Sequence, residues 1–354
     1  MTMFEKIQNA AGGFVDNCFL ALPRLINRIR PARTGRESHD RTIAYYHEHG
    51  HVADPESFFM FPDKAPRYTI MQSRPWQGGR KELVSYTSEY TPRNPALRKT
   101  FQSYDQNKTG YLVRWTHGDT GRNTVLCLHG YMLGDPRQAE KMFKIKKLFA
   151  LGLDVALFIA PLHWKRAPRS PLRRGIFLLP ENPALTWEHF GQAMFDLHCC
   201  FLILKSAGSG GIGIIGASLG GYLGALYSAL RDGHAFAALM VPAVDFSRPL
   251  GPGSINLGLD KNDTLTKKIH ELWTIHSPLN FTPKISPEKI LVIGSQGDRL
   301  CPSHGVRTLC EKWKIRRCHL LAGGHWLIFN NVRGKEWYRF LGEMGFLSNN
   351  PPRS

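Results

Sequence analysis

The sequence has few acidic residues for its size, and it lacks long hydrophobic runs and internal repeats. Its 354 residues include 46 Lys and Arg but only 28 Asp and Glu, which leaves a formal net charge of +18. No apolar run reaches the roughly 18 residues of a transmembrane helix. Glu5 and Asp16 interrupt the amino-terminal segment, so a signal peptide is not expected either. These absences leave a folded chain long enough for one large domain with insertions or for two modest domains.

Cysteine is present in an odd number, seven. Most of the thiols lie in apolar segments such as "TVLCLHG" (124–130) and "FDLHCCFLIL" (195–204). An odd number of cysteines in apolar surroundings is typical of buried, reduced thiols and not of a disulfide framework. We therefore expect a reducing, cytoplasmic setting.

The excess of positive charge favours anionic partners. No recognisable nucleic-acid module accompanies it, so no nucleic-acid partner is expected. Residues 1–50 are expected to form an amphipathic helix followed by a basic segment, which makes an anionic membrane surface a candidate partner, with peripheral attachment. The alternative is that this helix packs on its own domain. The apolar positions recur three or four residues apart, at Phe4, Ile7, Ala11, Phe14, Cys18, Leu22, Leu25 and Ile29.

Residues 51–345 alternate apolar strands with helical segments, which predicts an α/β fold with a mostly parallel central sheet flanked by helices. The predicted strands are 82–90, 110–118, 124–130, 154–160, 212–217, 235–241, 289–295 and 316–323. The predicted helices are 135–152, 187–205, 219–230 and 335–344. Two insertions, at about 161–186 and 245–287, interrupt the alternation and are candidate lids, and 346–354 form a tail.

Ser218 lies in the sequence Gly216-Ala217-Ser218-Leu219-Gly220, where a predicted strand passes into a predicted helix. A G-x-S-x-G pattern in that context is a nucleophile elbow, in which the glycines leave room for a sharp turn that exposes the serine hydroxyl. The G-x-G-x-x-G spelling at 208–213 precedes the strand instead of following it. A dinucleotide-binding loop is therefore not expected.

A nucleophilic serine needs a base and an acid that orients the base. In this architecture they follow along the chain in the order serine, acid, histidine. Asp298 and His325 each come directly after a late predicted strand, at the sheet edge where Ser218 emerges. The sequence therefore predicts a triad of these three residues, with Asp245 as a weaker candidate for the acid.

Two backbone N–H groups are expected to hold the oxyanion. One belongs to Leu219, at the start of the helix after the nucleophile, and the other to Tyr131 in "LHGYMLG" (128–134). His129 is interpreted as a residue that shapes this loop. Cys301 is interpreted as a packing residue.

With these motifs the sequence resembles the α/β-hydrolase superfamily over about residues 80 to 345. The segments "CPSHGVRTLCEKW", "HLLAGGHW" and "IGASLGGYLGALYSA" are also similar to the alpha/beta hydrolase domain-containing protein 18 group, whose implied substrates are acyl lipids. The resemblance implies a serine hydrolase that cleaves ester or thioester bonds of a hydrophobic acyl substrate without a metal or organic cofactor. Acyl transfer on the same triad, or a non-catalytic membrane-associated scaffold, are the alternatives.

The insertion at 161–186 is rich in arginine. Basic side chains beside the apolar "GIFLL" are candidates for contact with anionic head groups of a substrate. These arginines are Arg166, Arg169, Arg173 and Arg174. The three histidines of "YYHEHGH" lack a further ligand at suitable spacing, so no metal site is expected there.

Overall fold

The computed structural model describes residues 2–29, 36–168, 182–244, 246, 264–326 and 332–347. Within these residues, nine strands form a single sheet. The strands are β1 (Tyr68–Trp76), β2 (Gly79–Thr87), β3 (Thr109–Thr116), β4 (Thr124–Leu128), β5 (Asp154–Phe158), β6 (Ile212–Ala217), β7 (Ala237–Met240), β8 (Ile290–Ser295) and β9 (Arg317–Leu321). The helices are α1 (Met3–Ile29), α2 (Arg36–Glu48), α3 (Arg98–Gln102), α4 (Pro136–Met142), α5 (Ile145–Ala150), α6 (Pro183–Ser206), α7 (Leu219–Leu230), α8 (Thr264–Trp273), α9 (Ser303–Lys312) and α10 (Val332–Glu343).

The sheet has the order β1-β2-β3-β5-β4-β6-β7-β8-β9. Neighbours from β5 to β9 in this order are parallel, whereas β1, β2 and β3 are antiparallel and β3 pairs antiparallel with β5. The predicted α/β fold with a mostly parallel sheet is confirmed. The parallel strands β4 to β8 are buried along their whole length, as expected for strands with helices on both faces.

Alternate residues of the central strands enter two separate hydrophobic cores. In β4, Leu126 and Leu128 pack into the core that α6 and α7 cover, while Val125 and Cys127 face the core on the side of α5 and α10. Each strand is therefore fixed from both faces. A shift of one residue would exchange its two sets of side chains, so the positions of the strand ends are strongly specified.

Several predictions of individual elements need correction. The predicted helix 135–152 is two helices, because Lys144 adopts a left-handed backbone conformation with φ of 51° between α4 and α5. The strand β1 has no counterpart among the predicted strands. It is an edge strand whose residues are mostly exposed on both faces and include Pro75, so it lacks the alternation of a half-buried strand.

The two predicted insertions are described in part. Residues 161–168 include a short 3-10 helix at Trp164–Arg166, and α6 begins at Pro183. The second insertion, 245–287, contains α8. Residues 169–181 and 247–263 lie outside the described residues, so the role of both insertions as lids stays a prediction.

Arg166 is a structural residue, which corrects its interpretation as a contact for an anionic head group. Its side chain is fully buried and pairs with the equally buried carboxylate of Asp196 at 2.6 Å. The guanidinium also donates to the carbonyl oxygens of Ile159 at 3.1 Å and Asn107 at 2.9 Å. Arg166 thus ties the loop after β5 to the middle of α6, where no substrate head group reaches it.

Replacement of Arg166 by methionine should destabilise the fold. The variant leaves the Asp196 carboxylate buried without its cation, which typically costs about 3–5 kcal/mol of unfolding free energy. Urea denaturation at neutral pH measures the loss. The control Arg137→Ala removes an exposed partner of Asp135 and should leave the midpoint nearly unchanged. Equal midpoints for Arg166→Met and the wild type would contradict the structural role of this ion pair.

Candidate active site

Ser218 occupies a tight turn between β6 and α7. Its backbone has φ of 56° and ψ of −116°, a conformation that residues other than glycine rarely adopt. The flanking glycines make this turn possible. A Cβ atom on Gly216 would lie 2.0 Å from the carbonyl oxygen of Gly220, and one on Gly220 would lie 2.0 Å from that of Leu128. The structure therefore places the serine on an elbow that no larger residue at either position could form without rearrangement.

Ser218, His325 and Asp298 form a continuous chain of hydrogen bonds. His325 Nε2 lies 2.9 Å from Ser218 Oγ, and His325 Nδ1 lies 2.7 Å from Asp298 Oδ2. The chain crosses three loops that follow β6, β8 and β9. These loops meet because parallel strands present their carboxyl ends at one edge of the sheet. Asp245, the weaker candidate for the acid, lies outside the described residues.

The carboxylate of Asp298 is held from its other side as well. Its Oδ1 accepts hydrogen bonds from the backbone N–H groups of Leu300 at 2.9 Å and Cys301 at 2.7 Å. Both Asp298 and His325 are buried, with 4% and 7% of their surface exposed. The acid is thus fixed before any substrate arrives, and it can orient the imidazole and favour its protonated form.

Burial opposes charge on His325, but contacts with Cys301 and Asp298 outweigh it and raise the pKa of His325 well above its usual value. Burial also raises the pKa of the Cys301 thiol. The thiol lies near His325 and Ser218, which also affect its pKa. Cys301 is also a buried member of a hydrophobic core, which agrees with its interpretation as a packing residue.

The loop after β4 lies against the serine. A Cβ atom on Gly130 would be 3.5 Å from Ser218 Cβ, so the backbone of Gly130, which directly precedes Tyr131, lies against the serine. Leu219 is the first residue of α7, so its N–H belongs to the helix amino terminus next to Ser218. The two backbone groups expected to hold an oxyanion thus lie on the two segments that border Ser218.

Two buried histidines hold this loop in place. His129 Nε2 accepts from the N–H of Ala160 at 3.1 Å, so its Nδ1 carries the proton and donates to the carbonyl of Gly130 at 2.8 Å. In the same way, His163 Nε2 accepts from the N–H of Met132 at 3.1 Å. Burial lowers the pKa of His129 to about 4 and that of His163 well below its usual value, so both are neutral. His129 shapes the loop as the sequence indicates, whereas His163 was not anticipated.

Asp16 of α1 was also missed by the sequence interpretation. It is fully buried, and it accepts a hydrogen bond from the backbone N–H of His325 at 2.9 Å. The amino-terminal helix therefore packs on the domain, beside the candidate triad. Of the arginines predicted to contact head groups, Arg169, Arg173 and Arg174 lie outside the described residues.

The described residues hold no cluster of three or more His, Cys, Asp or Glu side chains suited to a metal ion. Among the helices described, none combines the length and the apolar character needed to cross a membrane.

Comparison with known sequences finds two related proteins of Mycobacterium tuberculosis. The uncharacterized proteins MT2702, of strain CDC 1551, and Rv2627c, of strain H37Rv, are each 27% identical over 291 residues, or 80% of this chain and 68% of theirs. No family model matches the sequence.

Comparison with solved structures identifies the fold. Acetyl xylan esterase 1 from Thermoanaerobacterium sp. JW/SL YS485 superposes with a TM-score of 0.57 at 14% identity, covering 84% of this chain and 93% of that protein. The acetyl xylan esterase from Paenibacillus sp. R4 gives a TM-score of 0.56 at 14% identity, over 89% and 96%. The chain therefore has the α/β-hydrolase fold, with its candidate site at the carboxyl ends of the parallel strands.

Replacement of Gly220 by alanine should disrupt the elbow. The added methyl group would collide with the carbonyl oxygens of Leu128 and His129, at 2.0 and 2.7 Å, and strain of this kind typically costs about 1–3 kcal/mol. Thermal unfolding measures the change. Gly342→Ala is the matched control, because that helical glycine has open space around its Cβ position and alanine should raise stability by up to ~1 kcal/mol. A Gly220→Ala variant as stable as the wild type would contradict the tight elbow.

Proposed function

We propose that this protein is a serine hydrolase that cleaves carboxylic ester or thioester bonds through an acyl-enzyme. The observation that carries the proposal is the hydrogen-bonded chain from Ser218 through His325 to Asp298, at 2.9 and 2.7 Å, with the serine on a strained elbow. The α/β-hydrolase fold supports it, although a fold by itself does not specify a reaction. The acetyl xylan esterases of the same fold suggest an ester as the bond that is cleaved.

In the proposed mechanism, Nε2 of neutral His325 takes the proton from Ser218 as the serine oxygen attacks the acyl carbonyl. Asp298 holds the Nδ1–H tautomer and stabilises the imidazolium that forms. The N–H groups of Leu219 and Tyr131 donate to the oxyanion of the tetrahedral intermediate. His325 then protonates the leaving alcohol or thiol. In the second half of the reaction it activates water, which releases the acid and restores Ser218. All of these steps use protein groups and water.

There are two alternatives to hydrolysis, one that uses the same triad for acyl transfer and one in which the triad has no catalytic role. In acyl transfer, an alcohol or amine would replace water in the second half of the reaction, so added acceptors would compete with hydrolysis. In a non-catalytic scaffold, the triad would be a relic. The closed hydrogen-bond chain favours a working site, because a relic has no reason to preserve a strained serine within reach of an oriented histidine.

Reaction with a fluorophosphonate probe tests the proposal. Wild-type protein should be labelled on Ser218, and both Ser218→Ala and His325→Ala should lose the label while retaining their circular dichroism. The labelling rate should rise with pH, because only neutral His325 accepts the proton and its pKa is raised. The titratable groups that face the imidazole include Asp298, Cys301 and Asp16. The midpoint should therefore lie above the ordinary histidine value of about 6.5.

Folded wild-type protein that stays unlabelled, with and without detergent or lipid, would contradict the proposal and favour the scaffold. A midpoint at or below the ordinary histidine value would contradict the proposed environment of His325.

We further propose that the substrate is an acyl lipid met at an anionic membrane surface. The face of α1 turned away from the domain is apolar, with Met3, Phe4, Ile7 and Phe14 between 57% and 80% exposed. Lys6 is exposed on the same helix, and the whole chain carries a net charge of +18. Apolar side chains next to positive charge suit the surface of an anionic bilayer. The resemblance of the segments around Ser218, Asp298 and His325 to the alpha/beta hydrolase domain-containing protein 18 group also supports a lipid substrate.

The triple variant Phe4→Ser, Ile7→Ser, Phe14→Ser should bind vesicles that contain phosphatidylglycerol more weakly than the wild type does. Its turnover of a soluble short-chain ester should be unchanged, because these side chains point away from the triad. Flotation with vesicles measures the binding. Ile70→Ser, Met71→Ser on the exposed edge strand is the matched control. Unchanged vesicle binding by the triple variant would contradict the proposal. If, in addition, the wild type is a dimer and the triple variant is a monomer, this face would be assigned to contact with a second copy of the chain.

A further inference from the structure

The helix α1 contacts both loops that carry the acid and the base of the candidate triad. Asp16 accepts hydrogen bonds from the backbone N–H of His325, at 3.0 Å to Oδ1 and 2.9 Å to Oδ2, and from the N–H of Arg299 at 3.0 Å to Oδ2. Arg299 is the residue that directly follows Asp298. One side chain, about 280 residues away in sequence, therefore joins the backbone of the base to the backbone next to the acid.

Backbone contacts between glycines bring the helix close enough for this bridge. A Cβ atom on Gly12 would lie 2.0 Å from the backbone nitrogen of Gly324, and one on Gly297 would lie 2.6 Å from the carbonyl oxygen of Asn9. No side chain fits at these positions unless the helix moves away. The close packing of α1 therefore depends on a glycine in the helix, Gly12, and on a glycine in the loop after β8, Gly297.

Asn9 reinforces the same contact about two turns earlier along the helix. Its Oδ1 accepts from the N–H of Gly323 at 2.8 Å, and its Nδ2 donates to Oε1 of Gln296 at 3.2 Å. Gln296 and Gly323 precede Asp298 and His325 by two residues each. Asn9 and Asp16 of α1 thus each contact both loops, Asn9 two residues before the acid and the base, and Asp16 at the base and directly after the acid.

An acid at position 16 is unfavourable for packing alone. Burial raises the pKa of Asp16, and the hydrogen bonds from Arg299 and His325 only partly offset this. An apolar residue would dock a helix at lower cost, because a buried carboxylate loses its hydration. What an apolar residue could not supply is an acceptor for the two backbone N–H groups. The side chain at position 16 is therefore suited to fixing these loops and not merely to filling space.

We propose that Asp16 is a positioning residue for the catalytic histidine, holding the backbone of His325 and the loop of Asp298 in the one arrangement in which the imidazole reaches both Asp298 and Ser218. This inference rests on the proposed serine hydrolase function. Asp16 itself does not touch the substrate. It acts by fixing His325, and misplacement of a catalytic group by about 1 Å can lower a rate by roughly 100-fold.

The test uses Asp16→Ala and Asp16→Asn, with Glu5→Gln as a control that removes a carboxylate from the first turn of the same helix. Two properties are measured: the kinetics on a soluble p-nitrophenyl ester, and hydrogen–deuterium exchange of the peptide that spans residues 320–326. Asp16→Ala should lower kcat by about 10- to 100-fold with little change in KM. Asp16→Asn keeps one acceptor oxygen and should recover part of the loss. Glu5→Gln should match the wild type.

Exchange at the amide of His325 should be faster in Asp16→Ala than in the wild type, and this readout does not require catalysis. Unchanged exchange at that amide would overturn the bridge itself. Faster exchange with unchanged kcat would show a purely structural contact and would overturn the positioning role. Failure of the proposed function is recognised separately, by a wild-type protein that neither turns over the ester nor reacts at Ser218. If Asp16→Ala does not fold, Asp16→Asn carries both measurements.

Discussion

The hydrogen bond between His325 Nε2 and Ser218 Oγ joins two residues that lie 107 positions apart in the chain. It forms only if the carboxyl ends of β6, β8 and β9 lie level with one another at one edge of the sheet, so that the three following loops meet. The two cores on either side of the parallel strands fix the positions of these strand ends, because alternate side chains of each strand pack on opposite faces of the sheet. The chemistry that we propose thus depends first on the register of buried strands.

Around this hydrogen bond, local strain and buried polar groups are concentrated. The left-handed backbone of Ser218 and the buried carboxylates of Asp298 and Asp16 are each unfavourable in isolation. Each is offset by specific contacts: glycines that admit the turn, and backbone N–H groups that satisfy the acids. The same arrangement makes the site rigid before substrate binds, which is what a base that must reach both an acid and a nucleophile requires.

The sequence predicted the elements that depend on local patterns. Ser218 was found because its glycine pattern coincides with a strand-to-helix junction, and Asp298 and His325 because each follows an apolar strand late in the chain. The structure brings these three residues together as expected.

The remaining site residues depend on contacts that no local pattern records. Asp16 lies on a helix whose apolar stripe left two alternatives open, contact with a membrane surface or packing on the domain. Along residues 3–17 of this helix, Gly12, Gly13 and Asp16 are buried, whereas Phe4, Ile7 and Phe14 are exposed. Arg166 looked like one member of a basic surface run, but a single buried partner, Asp196, determines its place. His163 carried no motif at all. The places of all three residues are determined by hydrogen bonds and ion pairs with residues far away in the sequence, and these contacts are visible only in the folded structure.

The central claim is that Ser218 carries the acyl group during turnover. Its most direct test is to quench the wild-type protein with acid while it turns over a p-nitrophenyl ester, and then to locate the added acyl mass by peptide mapping. The proposed mechanism predicts that the acyl group is on the peptide that contains Ser218. Acyl mass on Cys301 instead, whose thiol lies beside the same histidine, or turnover that persists in Ser218→Ala, would contradict it.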